Sequence, residues 1–266
     1  MKNTQIISII NQKGGVGKTT TVINLATALS FQNRKVLVID LDPQGNATTG
    51  LGLSNIENSK TIYDVLNGNV NIQDTIKDTK IENLKLISSN VDLSGLEVET
   101  ATENRRAFLL KDKLDNFLNT DKNDFAYIFI DCPPSLSLLT IMSLVAANSL
   151  IVPLQAEFFA LEGLSQLMKT IERVKIKLNP KLEIRGVLLT MFDRRNKLST
   201  QVDAEARKFF NEKVYETVIP RNVRLSEAPS HGIPILIYDK FCAGSKSYSS
   251  FADEFLKQES IMESAA

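Results

Sequence analysis

Residues 11–20 read NQKGGVGKTT, a glycine-rich run that ends in a Gly-Lys-Thr-Thr sequence. A phosphate-binding loop has the pattern G-x-x-x-x-G-K-[ST], in which the lysine neutralises phosphate charge and the hydroxyl binds Mg²⁺. The spacing places the first glycine of that pattern at position 12, where this chain has Gln12, followed by a second lysine, Lys13. The run predicts a nucleotide site, and it leaves one lysine without a role in the standard loop.

The glycines and the residues after them fit a site for nucleotide phosphates. Gly14, Gly15 and Gly17 allow a tight backbone turn, so that successive N–H groups can point at phosphate oxygens. A helix that begins near Lys18 adds its positive N-terminal end, and the Thr19 hydroxyl can bind Mg²⁺. The alternative, a glycine-rich turn without a ligand, does not account for the Gly-Lys-Thr sequence between a strand and a helix.

Three carboxylates follow apolar runs elsewhere in the chain. Asp40 and Asp42 end the run VLVIDLD, and their spacing of two puts both side chains on one side of an extended backbone. Asp131 ends YIFID, the pattern of a carboxylate that holds Mg²⁺, usually through water. A single Asp at a strand end is more often a turn or cap residue. Three of them at one sheet edge beside a phosphate loop predict a metal–nucleotide site.

A parallel sheet would bring these residues to one edge. Runs rich in Val, Ile and Leu predict strands at residues 5–10, 35–40, 84–88, 127–131, 149–154, 184–191 and 214–220. Helices are predicted at about residues 18–32, 103–118, 136–147, 158–178, 198–211 and 246–258. The alternation predicts a doubly wound α/β fold, a mostly parallel sheet flanked by helices, in a single domain over residues 1–266. Ligands of such sheets bind beyond the carboxyl ends of the strands.

Composition excludes several classes of protein. The 266 residues are 43% hydrophobic and 23% charged, which is ordinary for a globular protein. No apolar run approaches the ~18 residues that cross a bilayer, and the N-terminal apolar stretch is too short for a signal peptide. We therefore expect a cytoplasmic protein. Two cysteines and one histidine do not supply the four close ligands of a structural zinc site.

The net charge is zero, but the charge is unevenly distributed along the chain. Residues 169–224 carry fourteen Lys or Arg and seven Asp or Glu, a net charge of +7, so the remainder of the chain carries −7. Most charge runs are solvated surfaces. A local excess of this kind is also what binding to a phosphate backbone requires.

Six segments together resemble the ParA/Soj chromosome- and plasmid-partitioning ATPases, in the deviant Walker-A group that also contains MinD. They occur in the family's order between about residues 5 and 238, and they read KGGVGKTT, DLDPQGNATTGLG, IDCPPSL, LEGLSQL, GVLLTMFD and IPRNVRLSEAPSHGIPI. In that family the first loop glycine is absent. The resemblance implies an ATP hydrolase that forms a dimer around two nucleotides, in which Lys13 reaches the phosphates of the ATP held by the other subunit.

The resemblance also implies roles for individual residues. ATP and Mg²⁺ are the expected cofactors. Residues expected at ATP are Lys13, Gly14, Gly15, Val16, Gly17, Lys18, Thr19 and Thr20, with Pro220 and Asn222 at the adenine. Residues expected at Mg²⁺ are Thr19, Asp40 and Asp131. Catalysis is expected to use Asp42, which orients or activates the attacking water, together with Lys13 and Lys18. DNA contacts are expected from Arg195, Arg221 and Arg224.

The expected function is partitioning of DNA by an ATP-dependent homodimer. The resemblance implies non-specific binding to double-stranded DNA, hence association with the nucleoid, and hydrolysis stimulated by a ParB-type centromere-binding partner. The chain departs from the family after residue 238, where DKFCAGSKS replaces an arginine-containing stretch resembling DPRSRG. Basic contacts from that stretch are therefore not expected here.

Three alternatives use the same fold. A MinD-like ATPase on a membrane surface would need a basic amphipathic C-terminal helix, whereas residues 247–266 hold four acidic side chains and one lysine. We therefore expect no membrane partner. A redox iron protein would need paired cysteines facing a shared cluster, and Cys132 and Cys242 do not match that placement. A nucleotide switch without hydrolysis is disfavoured by Asp42.

Overall fold

Seven strands form one sheet in the computed structural model, which describes residues 4–54, 59–157 and 160–265. The strands are β1 (Gln5–Ile9), β2 (Val36–Asp40), β3 (Ile76–Asp78), β4 (Leu84–Ile87), β5 (Tyr127–Asp131), β6 (Ser149–Gln155) and β7 (Glu183–Thr190). Their order across the sheet is β3-β4-β2-β5-β1-β6-β7. All neighbours are parallel except β3 and β4, which are antiparallel. The predicted α/β fold with a mostly parallel sheet is confirmed.

Eleven α-helices lie in the part of the chain described. They are α1 (Lys18–Phe31), α2 (Asn46–Gly50), α3 (Ile62–Leu66), α4 (Leu96–Glu99), α5 (Leu109–Leu118), α6 (Leu138–Ala146), α7 (Ala160–Lys177), α8 (Lys197–Phe210), α9 (Val223–Glu227), α10 (Ile235–Tyr238) and α11 (Ala243–Ala265). Short 3₁₀ turns occur at Ile72–Asp74, Val91–Gly95, Arg106–Phe108, Asn211–Lys213 and Ala228–His231. Within the described ranges, no helix combines the length and the apolar character that a bilayer span needs.

The sheet has a hydrophobic core on each face. Alternate residues of a strand point to opposite faces, so Ile7 and Ile9 pack with α1 and α11, while Ile6 and Ile10 pack with α5, α6, α7 and α8. This two-sided burial explains why the central strands read as continuous apolar runs. It also leaves the carboxyl ends of the strands as the place where polar loops can converge.

Six of the predicted strands lie within a residue or so of their observed bounds, but the strand predicted at residues 214–220 is wrong. This segment forms no regular ladder with β7: it has isolated bridges, Val187 with Val214 and Phe192 beyond β7 with Pro220, and two separate hydrogen bonds, from the Tyr215 and Ile219 amides to the Val187 and Leu189 carbonyls. The Glu254 carboxylate of α11 accepts hydrogen bonds from the backbone N–H groups of residues 216 and 217, at 2.7 and 2.8 Å. The Glu254 side chain therefore interrupts a regular ladder at this edge.

Candidate nucleotide-binding site and basic surface

The glycine-rich loop joins β1 to α1 and is held from both sides. Gly15 and Gly17 have φ of +73° and +89°, a conformation that side chains rarely adopt. The Thr190 hydroxyl at the end of β7 donates to the Val16 carbonyl at 2.8 Å, and the Asn11 amide donates to the Pro153 carbonyl at 2.7 Å. The helix begins without a side-chain cap at Gly17, which suits an anion at its N-terminus.

Lys18 lies inside this loop. It is 7% exposed, and its Nζ donates to the Lys13 carbonyl at 3.2 Å. Burial lowers the pKa of Lys18, and the charges of Asp131, Cys132 and Asp42 act in the opposite direction. A buried ammonium near the loop backbone is placed to neutralise phosphate oxygens bound there.

Thr19 and Asp131 form the predicted metal side of the site. The Thr19 hydroxyl donates to Asp131 Oδ2 at 2.7 Å. Asp131 is fully buried, and its Oδ1 has no hydrogen-bond partner among the described residues. Burial and the adjacent Asp40 carboxylate raise the pKa of Asp131 well above its usual range. A divalent cation bound there would stabilise the ionised form of this carboxylate, in addition to the nearby Lys18 charge.

Asp40 is paired with Asp131 across the β2–β5 ladder, but it contacts protein groups through both oxygens. Its Oδ2 accepts hydrogen bonds from the Thr48 amide at 2.8 Å and the Thr48 hydroxyl at 2.7 Å, and its Oδ1 accepts one from the Asp42 amide at 3.2 Å. Burial raises the pKa of Asp40 to about 6, and these hydrogen bonds oppose the shift. Its contacts support a role in shaping the loop from Asp42 to Thr48. Its predicted place at Mg²⁺ stays a prediction.

Asp42 lines a cavity of about 420 Å³ together with the glycine loop. Its Oδ1 accepts a hydrogen bond from the backbone N–H of Gln44 at 3.0 Å. The same cavity is lined by Lys18, Thr19 and Thr20. The structure thus brings the predicted water-directing carboxylate and the predicted phosphate-binding residues to one space.

A second cavity of about 410 Å³ adjoins the first, and Gly17, Thr20 and Met191 line both. Pro220 and Asn222 line the second cavity, and Asn222 Oδ1 is buried without a hydrogen-bond partner in the described chain. An acceptor of this kind can take a hydrogen bond from the amino group of a purine base. The two predicted adenine residues therefore lie next to the predicted phosphate site.

Lys13 lies outside both cavities. Its side chain is 43% exposed, and its Nζ pairs with Glu157 Oε2 at 2.7 Å. Arg221 Nη2 lies 4.0 Å from the other oxygen of Glu157. The two lysines of the loop consequently have different environments, Lys18 within the site and Lys13 at its rim.

The predicted DNA-contacting arginines belong to two segments that the fold brings together. The Phe192 amide donates to the Ile219 carbonyl at 3.0 Å, so the loop holding Arg195 runs beside the segment that holds Arg221 and, in α9, Arg224. The Arg195 side chain is 90% exposed and pairs with Asp193. Arg221 and Arg224 are 68% and 54% exposed. We call these three arginines the basic surface.

The charge of residues 169–224 does not all reach this surface. Arg185 is 7% exposed and packs over the Phe255 ring, with its guanidinium carbon 3.8 Å from the ring centroid. Arg207 pairs with Asp203 and Glu216, each at 2.8 Å. The net charge of a segment therefore overstates the cationic surface it presents.

Sequence reasoning missed two residues of the site. Thr48 holds Asp40 by two bonds, but nothing in NATT distinguishes it from the adjacent threonine. Glu157 contacts Lys13 and follows β6, yet no motif marks it. Only the fold reveals these partners.

The acidic C-terminal helix has its apolar side in the core. Tyr248, Phe251 and Phe255 of α11 are buried against α1 and the sheet. Glu254 binds backbone amides, and Glu259 lies 3.9 Å from Arg185. These contacts give α11 a packing role in this fold.

A glycine-rich loop between β1 and α1, with carboxylates at the ends of the neighbouring strands, defines a P-loop NTPase of the deviant Walker-A type. A family model described as an AAA domain matches residues 4–184. The chain is 52% identical over 255 residues to the chromosome partitioning protein ParA of Caulobacter vibrioides, covering 96% of this chain and 95% of the relative. It is 46% identical over 250 residues to the chromosome-partitioning ATPase Soj of Treponema pallidum, covering 94% and 96%.

The solved structure of cobyrinic acid a,c-diamide synthase from Mycobacterium smegmatis, with a bound ATP analogue and magnesium, is similar to this fold. It has a TM-score of 0.84 and 35% sequence identity, and the match covers 96% of this chain and 95% of that one. The identity to ParA and Soj is higher and extends over nearly the whole chain. The chain belongs to the ParA/Soj family of chromosome-partitioning ATPases.

Proposed function

We propose that this chain acts in DNA partitioning as an ATP-dependent homodimer that binds DNA without sequence preference. The observation that carries the proposal is the contrast between the two loop lysines. Lys18 is buried at the phosphate end of the cavity, whereas Lys13 is 43% exposed at its rim. A flexible, exposed lysine is able to neutralise a phosphate outside its own loop, which supports a role for Lys13 in the other subunit. The 266 residues are proposed to form one ATPase domain, supported by the common sheet of all described strands.

The residues at the phosphate end fit Mg²⁺ and ATP. Thr19 and Asp131 would hold the cation, because one Asp131 oxygen is buried and has no hydrogen-bond partner in the described chain. Mg²⁺ bound there supplies positive charge to the phosphates. Lys18 and the amides at the start of α1 neutralise the phosphate oxygens, and Pro220 and Asn222 line the space for adenine.

Asp42 is proposed to direct the attacking water. Its carboxylate lines the cavity, and the backbone N–H of Gln44 positions its Oδ1. Asp40 accepts hydrogen bonds from the backbone amides of Asp42 and Thr48, which hold the loop that carries Asp42. A carboxylate held in this way orients a water molecule before the reaction, which lowers the cost of reaching the transition state.

DNA binding is proposed for the basic surface. Each of its arginines pairs with a carboxylate of this chain, so one subunit offers a modest attraction to phosphates. Affinity for a phosphate backbone rises with the number of phosphates neutralised, so two copies in one dimer bind more tightly than one. ATP then controls DNA binding, and with it association with the nucleoid. A ParB-type partner is proposed to stimulate hydrolysis and so release the dimer.

The decisive experiment measures ATP hydrolysis and retention on unrelated DNA duplexes in the same samples. We expect retention with ATP and little with ADP or without nucleotide, and faster hydrolysis when the ParB-type partner is added. Equal retention with ADP and ATP would refute the dimer mechanism.

A further inference from the structure

Glu157 is the carboxylate that holds the exposed cations at the rim of the nucleotide site. Its Oε2 lies 2.7 Å from Lys13 Nζ, and its Oε1 lies 4.0 Å from Arg221 Nη2. The Gln155 side-chain amide also donates to Oε1. Nothing in the proposed hydrolysis uses Glu157, although it contacts the lysine on which the proposed dimer depends.

The Lys13 ammonium can neutralise Glu157 in its own subunit or the phosphates of ATP in a partner subunit. These two positions are alternatives for one side chain. We propose that Glu157 is a positioning residue that keeps Lys13 on its own subunit until a second copy with bound ATP draws it away. This inference rests on the proposed ATP-dependent dimer.

The strength of the Lys13–Glu157 pair suits such a competition. The two side chains are 43% and 44% exposed, so water and salt screen the pair. An exposed ion pair of this kind changes an equilibrium by about two- to five-fold. The triphosphate carries several negative charges and outcompetes a single carboxylate. The pair therefore raises the protein concentration at which the ATP-bound dimer forms, without preventing dimerisation.

Glu157 also keeps partners when Lys13 leaves. Gln155 donates to one of its oxygens, and Arg221 lies near the same oxygen. Losing one partner is costly for a charge only when the charge is left buried and unpaired. Because Glu157 is half-exposed and retains these contacts, transfer of Lys13 to phosphate leaves no orphaned charge. Arg221 lines the second cavity, which places the exchange beside the proposed adenine site.

The test compares Glu157→Gln with the parental protein by sedimentation velocity, using a non-hydrolysable ATP analogue over a range of protein concentrations. The glutamine keeps the side-chain size and removes the charge. Two such pairs open for each dimer, so we expect the variant to dimerise about four- to twenty-five-fold more tightly. The difference should shrink toward 1 M salt, because screening already weakens the parental pair.

Two further variants separate this role from a general effect of charge or folding. Asp115→Asn removes the same charge from an exposed pair with Lys111, 3.0 Å long, and should leave dimerisation unchanged. Glu157→Asp keeps the charge and should lie nearer to the parental protein than Glu157→Gln. Parental or weaker dimerisation of Glu157→Gln, with ATP affinity intact, would overturn the inference. Absence of any dimer in the parental protein would instead remove the proposed function and this role with it.

Discussion

Lys18 and Arg195 are both cations of proposed phosphate-binding sites, yet their surroundings differ. Lys18 is 7% exposed and donates to the loop backbone, while the Arg195 side chain is 90% exposed and pairs with its neighbour Asp193. A charge in a low-dielectric site acts strongly on one ligand, whereas exposed charges act weakly and must act together. A single substitution in the nucleotide site should therefore abolish or greatly reduce ATP binding or hydrolysis. A single substitution on the basic surface should lower DNA affinity only moderately.

The largest effect is expected in the buried nucleotide site. Asp42→Ala removes the group proposed to direct the attacking water, so the hydrolysis rate should fall by about 10²- to 10⁴-fold. ATP affinity and dimerisation should persist, because the loop and Lys18 remain. Phosphate release and ATP binding, measured on the same protein, check this. Asp92→Ala, an exposed carboxylate outside the cavity, is the control. Hydrolysis at the parental rate would show that Asp42 does not direct the attacking water, and Asp40 would become the candidate.

Lys18→Ala tests the buried cation directly. Removing one partner from a desolvated charge interaction costs about 2–5 kcal/mol, so ATP affinity should fall by roughly 30-fold to several-thousand-fold. Titration calorimetry with ATP and Mg²⁺ measures the loss. Lys111→Ala removes an exposed lysine of α5 and should bind ATP normally. Unchanged affinity of Lys18→Ala would contradict the assignment of the phosphate site.

Lys13→Ala sharpens the contrast between the two lysines. ATP affinity of the single subunit should change little, because Lys13 lies outside both cavities. Each charged hydrogen bond removed from the proposed dimer costs about 1.5–3 kcal/mol, and the proposal gives the dimer two of them, so the dimer should be undetectable at micromolar protein. Light scattering with ATP measures this. Lys35→Ala removes an exposed lysine paired with Asp124 and serves as the control. A normal ATP dimer would count against the role in the other subunit.

The smallest effects are expected on the basic surface. Arg195→Glu and Arg224→Glu should each weaken DNA binding several-fold, leave ATP dimerisation intact, and lower the salt dependence by about one unit of slope for each phosphate that is no longer neutralised. Fluorescence anisotropy on unrelated duplexes across a salt series measures both quantities. Arg105→Glu is the matched control, an arginine 68% exposed and paired with Asp112. Parental affinity of both variants would place the DNA surface elsewhere.

The strand ends were predictable because each depends on a local pattern. Asp40 and Asp131 end apolar runs, and the structure pairs them across β2 and β5. The edge beside β7 was not predictable to the same degree. Residues 214–220 have strand-forming side chains, but Glu254 from α11 takes two of their amides. Local β propensity gave way to a contact with a distant helix.

Residue type and spacing alone determined the glycine loop, the carboxylates after apolar strands, the fold class and the family resemblance. These features are local, because backbone geometry and side-chain alternation act over a few residues. Only the tertiary structure decided which charges remain available. It buries Arg185, satisfies both oxygens of Asp40, leaves one Asp131 oxygen without a partner among the described residues, and brings Glu157 to Lys13 across 144 residues of chain. Charge pairing depends on distance in space, which sequence separation does not specify.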